Sequence, residues 1–82
     1  MEKIVMGILV GDREQEASRV QELLTKHGCV IKTRLGLHET ENICSIKGLI
    51  LLEFKKDSDE EVASLKAELE KLESIKVRTM EF

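Results

Sequence analysis

The run Leu49-Ile50-Leu51-Leu52 constrains this chain more than any other four residues. A strand with one face in water alternates apolar and polar residues, because successive side chains point to opposite faces. Here both faces are apolar, so both need cover. The chain has 82 residues and two aromatic ones, so its two helices can cover one face of a sheet. The other face is expected to meet a second copy, and oligomerisation is a common supplement to a small core.

Around that run the chain reads as alternating strands and helices. Lys3 to Val10 is β-branched and aliphatic and closes at Gly11, which predicts a strand. Asp12 is placed to cap a helix with Gln15 as its capping-box partner, and the helix is expected from Arg13 to His27. Ala17, Val20, Leu24 and His27 form its stripe, widened by Leu23. Gly28 stands where a left-handed C-terminal cap belongs. A second strand from Val30 to His38 puts Ile31, Thr33, Leu35 and Leu37 on one face. Val30, Lys32, Arg34, Gly36 and His38 share the other, mostly polar one. Glu39 to Cys44 reads as a polar loop and Ser45 to Lys55 as the third strand. Ser58, with Glu61, is expected to cap a second helix that buries Val62, Leu65, Leu69 and Leu72. Ile75 to Glu81 closes the pattern as a strand, with Ile75, Val77 and Thr79 on one face. The order β-α-β-β-α-β predicts a single α+β domain over residues 1–82, a ferredoxin-like sandwich. Its four-stranded sheet is antiparallel, and right-handed crossovers put both helices on one face.

The two halves repeat. A shift of 45 residues aligns Ala17 with Val62, Val20 with Leu65, Leu24 with Leu69 and His27 with Leu72. Ile50, Leu52 and Phe54 alternate with Glu53 and Lys55 and are read as facing the helices. The same shift turns Val5, Gly7 and Leu9 inward. Ile4, Met6, Ile8, Val10, Leu49 and Leu51 are then left on the open face as the expected homodimer or homotetramer interface. Lys32, Arg34, Lys76 and Arg78 would give it a charged rim.

Composition narrows the partners. A net charge of -3 argues against a broad phosphate-binding surface. No apolar run approaches the ~20 residues that span a bilayer. Cys29 and Cys44 are too few for a disulfide framework and fit reduced thiols in a cytoplasm.

Val10-Gly11-Asp12-Arg13, the helix that follows, and His27-Gly28-Cys29-Val30-Ile31 resemble the start of an ACT domain. From about Ile4 to Phe82 the chain resembles the family named "putative iron-only hydrogenase system regulators". These are ACT-like, ferredoxin-fold proteins related in shape to the C-terminal domain of nickel-responsive regulators. The resemblance implies a regulatory or sensing role in the hydrogenase biology of anaerobic bacteria, exercised on a small effector or a partner protein. Two features depart from the related folds. Amino-acid-binding ACT domains usually carry a glycine just after the Asp-Arg segment, whereas here Glu14 and Gln15 follow and Gly11 precedes. The DNA-binding segment of nickel-responsive regulators has no counterpart, which argues against direct DNA binding.

Gly11, Asp12 and Arg13 are the candidate effector loop, at the positive end of the first helix. Capping by Asp12 explains the same residues without a ligand. His38 and Cys44 are separated by five residues and match part of the metal-site spacing of the nickel-responsive domain. Imidazole and thiolate suit Ni, Zn or Fe, which makes a metal-responsive module the alternative reading. Gly36 and Thr25 stand where that site has further histidines, and a mononuclear site needs three or four ligands. Glu39, Glu41 or a second subunit would have to complete it. His27 is read as completing the helix stripe, and Cys29 as a small buried or half-buried filler. The sequence offers no Ser-His-Asp, Cys-His or paired-carboxylate arrangement. The expectation is a non-enzymatic module that requires no cofactor, with a transition metal as the one candidate and a small ferredoxin-fold enzyme as the last alternative.

Overall fold

The computed structural model describes residues 2–37 and 48–82. The elements are β1 (Ile4–Val10), α1 (Glu14–Lys26), a 3-10 turn over Gly28–Val30, β2 (Ile31–Leu37), β3 (Gly48–Phe54), α2 (Asp59–Glu70) and β4 (Lys76–Glu81). The sheet order is β2-β3-β1-β4, with every neighbouring pair antiparallel. This is the ferredoxin-like sandwich that the alternation of elements predicts.

Both helices pack on one face of the sheet. Val20, Leu23 and Leu24 of α1 and Val62, Leu65 and Leu69 of α2 are buried, as their spacing requires. They close over Ile50, Leu52 and Phe54 of β3 and over Ile75 and Val77.

The first strand is turned over relative to the repeat argument. Ile4, Met6, Ile8 and Val10 lie in the core, with Met6 and Ile8 fully buried, so these four do not belong to the open face. Met6 pairs with Leu52 and Ile8 with Ile50 across the ladder, and directly paired residues share a face. The cause is loop length. β1 ends at Val10 and α1 starts at Glu14, whereas β3 ends at Phe54 and α2 starts at Asp59, one residue further on. The strands therefore align at a shift of 44 while the helices align at 45. Because side chains alternate, a slip of one residue exchanges the two faces. Asp57, at φ 64°, takes the left-handed conformation inside the longer loop.

Local endings differ from expectation as well. The helix N-cap falls at Arg13 rather than Asp12, and neither Arg13 nor Ser58 makes a side-chain cap bond. Gly28 has no positive φ, because a 3-10 turn and not a left-handed cap follows α1. A register irregularity at Lys32 separates Ile31 from Thr33. Ile31 accordingly pairs with Phe54 and packs on the core, while Thr33, Leu35 and Leu37 stay on the other face.

Candidate functional site

The loop 11–13 is tied to the turn between α2 and β4. A Cβ built on Gly11 would stand 2.7 Å from both Cβ and O of Ser74, so this position admits no side chain without movement. Arg13 Nη1 donates to Glu73 Oε2 at 2.9 Å. Glu16 accepts from the backbone N–H groups of Glu73 and Ser74, at 3.0 and 2.9 Å, and from the Ser74 hydroxyl. The Ser74 hydrogen bonds hold the Glu16 carboxyl below the usual glutamate range. The Gly11 and Arg13 contacts shown here are thus intramolecular.

The open face of the sheet is aliphatic. Gly7 pairs with Leu51 and Leu9 with Leu49, and on the far side of β3 Leu35 pairs with Leu51 and Leu37 with Leu49. Leu9 and Leu35 are each 50% exposed, Leu37 44% and Met80 55%. Of the expected open-face residues, Leu49 and Leu51 are placed there. Leu9, Leu35, Leu37 and Met80 take the places assigned to the first strand. Glu53 stands at the edge of this patch and accepts from Lys3 at 2.7 Å and from Thr33 Oγ1 at 2.9 Å, with Lys32 at 3.8 Å. Those contacts, Lys3 first, hold its carboxyl low. Lys76 and Arg78 pair with Leu9 and Gly7 and so share this face, whereas Arg34 pairs with Leu52 and belongs to the helix side.

His27 is 5% exposed, consistent with its place in the stripe. Its Nδ1 lies 3.0 Å from Glu61 Oε2 and its Nε2 3.3 Å from Glu68 Oε1. A neutral imidazole has one N–H, so donation to both carboxylates requires the protonated ring. Glu68 also takes Lys26 at 3.3 Å and Arg19 at 3.8 Å. The His27 hydrogen bond leads the effects that lower the Glu68 carboxyl. Glu61, expected as a capping partner, joins the helices instead. Cys29 is exposed, not a filler.

His38 and Cys44 lie outside the described residues. Among the described residues no group of three or more His, Cys, Asp or Glu could hold a metal ion. No helix among them is long and apolar enough to cross a membrane.

Sequence reading did not find a groove of about 440 Å3 between α1 and the inner side of β2 and β3. Glu14, Ala17, Gln21, Arg34, Gly36 and Ile50 are among its lining residues. The available signal was Arg34 and Gly36 at positions of an edge strand that face a helix.

The sheet order and the two helices on one face define an ACT-like ferredoxin fold. Solved structures with this fold include the regulatory subunit of aspartate kinase from Thermus flavus, with a TM-score of 0.64 and 12% identity over 96% of this chain and 51% of that one. A formyltetrahydrofolate deformylase from Pseudomonas putida matches at TM-score 0.64 and 12% identity, over 98% of this chain and 29% of that one. This chain therefore spans about half of the first and under a third of the second, and these likenesses concern the fold alone. The structure of the uncharacterized protein TM1266 from Thermotoga maritima matches at TM-score 0.81 and 28% identity, over 96% of this chain and 94% of that one. Residues 3–79 match the family described as "TM1266-like: Iron-only hydrogenase system regulator, putative", and the chain belongs to that family. The comparison with curated proteins gave no match.

Proposed function

We propose that the chain is a regulatory module without catalysis of its own, linked to the expression or assembly of an iron-only hydrogenase. It assembles as a homodimer or homotetramer through the helix-free face of its sheet and responds to a small effector or partner protein. The observation that carries the assembly is the leucine patch Leu9, Leu35, Leu37, Leu49 and Leu51, with Met80 exposed on the same face beside Val5. Large apolar patches of this kind mark interaction surfaces. A second copy is the fitting occupant because the patch carries both signs at its margin, Glu53 on β3 and Lys76 and Arg78 on β4. A copy related by a two-fold axis offers the same aliphatic surface, rimmed by both signs of charge, to its partner. The family assignment supports the regulatory role, and the role supports a cytoplasmic location.

Sedimentation velocity tests the assembly. The wild-type protein is expected as a dimer or tetramer at micromolar concentration, and Leu51→Lys as a folded monomer, because the contact would bury an unpaired charge. A wild-type monomer would sink the proposal. Hydrogenase transcript and activity in a deletion strain test the regulatory link, and unchanged levels of both argue against it.

A further inference from the structure

We propose that the groove between α1 and the inner face of β2 binds a short zwitterion whose ammonium and carboxylate stand roughly 10 Å apart on an apolar chain. This names a class for the small effector and rests on that part of the functional reading. The groove opens on the helix side of the sheet, and Leu37 and Leu49 of the leucine patch also line it.

The groove exists because β2 presents Arg34 and Gly36 to the helix layer where β1 presents Met6 and Ile8, β3 presents Ile50 and Leu52, and β4 presents Val77. Among the described residues a Cβ at Gly36 would meet nothing within 4 Å, so they leave space above the strand there. The volume of about 440 Å3 falls in the range of small-molecule sites. Its middle is apolar, with Val10, Ala17 and Ile50 among the lining residues.

Its two ends carry opposite charge. Glu14, Ala17 and Gln21 occur at helical spacing and line the groove along one stripe of α1. Gln21 stands seven positions after Glu14, which is two helical turns and roughly 10 Å. Arg34 Nη2 donates to the Gln21 side-chain oxygen, which anchors the guanidinium at the Gln21 end. A guanidinium has five N–H donors, so this bond leaves others for a carboxylate. Glu14 offers a carboxylate to an ammonium at the opposite end. The α-ammonium and α-carboxylate of a free amino acid sit on one carbon, too close together to reach both.

The test uses isotope-labelled full-length protein titrated with ω-aminooctanoate, whose eight bonds from nitrogen to carboxyl carbon span roughly 10 Å. Octanoate and octylamine each lack one charge. Amide shifts at Ala17, Gln21, Arg34 and Gly36 are expected. Aminooctanoate should bind roughly two- to fivefold more tightly than either single-charge ligand, the range of an exposed ion pair. Glu14→Gln should equalise aminooctanoate and octanoate, and Arg34→Gln should equalise aminooctanoate and octylamine. Gly36→Val should fill the groove and abolish the shifts, and a strand accepts a β-branched residue. The spectra report whether each variant folds, and if the valine variant does not, the two charge variants decide. Absence of groove shifts at millimolar ligand, equal affinity for all three compounds, or shifts confined to Leu9, Leu35, Leu51 and Met80 would overturn the proposal. Such a failure leaves self-association to be judged by sedimentation alone.

Discussion

The two edge strands occupy equivalent places in the two β-α-β halves and end in opposite states. β4 turns Val77 inward, 2% exposed, and with Ile75 completes the core. β2 turns Arg34 and Gly36 inward, and of its residues Ile31 alone is counted with the core packing. One edge is sealed and the other holds a groove, although the helices and the ladder are laid out alike. The lesson is that two or three inner-face residues of an edge strand decide between closure and a cavity, while the backbone plan stays constant.

Substitutions that import the character of one half into the other give the largest effects. Val77→Arg places a charge in the sealed half and is expected to cost about 3–5 kcal/mol, the loss typical of an unpaired buried charge. Urea unfolding measures it, and a cost near zero would show that the β4 edge is as open as β2. Next in size is Gly11→Ala, where the new Cβ would collide with Ser74 in the turn before β4. Overpacking of this kind costs about 1–3 kcal/mol, read from the same midpoints.

The acid response is smaller and has a defined sign. Glu16 and Glu68 have folded-state values below the ordinary one, Glu16 through Ser74 and Glu68 through His27. Their stabilisation is present above the unfolded value of ~4.3 and is lost as pH falls through the folded values. The urea midpoint should therefore drop in acid, and Glu16→Gln should lower it at neutral pH and flatten that drop. Identical pH profiles for the two proteins would remove Glu16 from the account. The smallest effect is expected for Arg34→Val, which gives β2 the chemistry of β4. On an exposed, already open edge it should change stability by less than about 1 kcal/mol in either direction.

Much of the fold was legible because periodicity is local. The stripe Val20, Leu24, Leu65 and Leu69 and the alternation of Ile50, Leu52 and Phe54 report burial directly, and the order of elements then fixes the topology. What failed was parity carried across a loop. Ile4, Met6, Ile8 and Val10 alternate with Val5, Gly7 and Leu9, and both sets are largely apolar, so nothing within the strand tells its faces apart. The extra residue in 55–58 was invisible to an alignment anchored on helices. The open face was foreseen as an aliphatic patch with the wrong members from β1. Glu16, His27, Glu61 and Glu68 were missed as a set because their contacts join residues far apart in sequence. The groove was missed because an arginine and a glycine in a strand are ordinarily read as exposed positions.

The irregularity at Lys32 has a consequence for solubility. A regular edge strand carrying Leu35 and Leu37 would be a template on which further chains could add by backbone pairing. The register break between Ile31 and Thr33 and the charges of Lys32 and Arg34 interrupt that template at the start of β2. Lys76, Arg78 and Glu81 place charges along the opposite edge, β4. These features discourage growth into fibres at the backbone edges and leave the leucine patch on the face of the sheet intact.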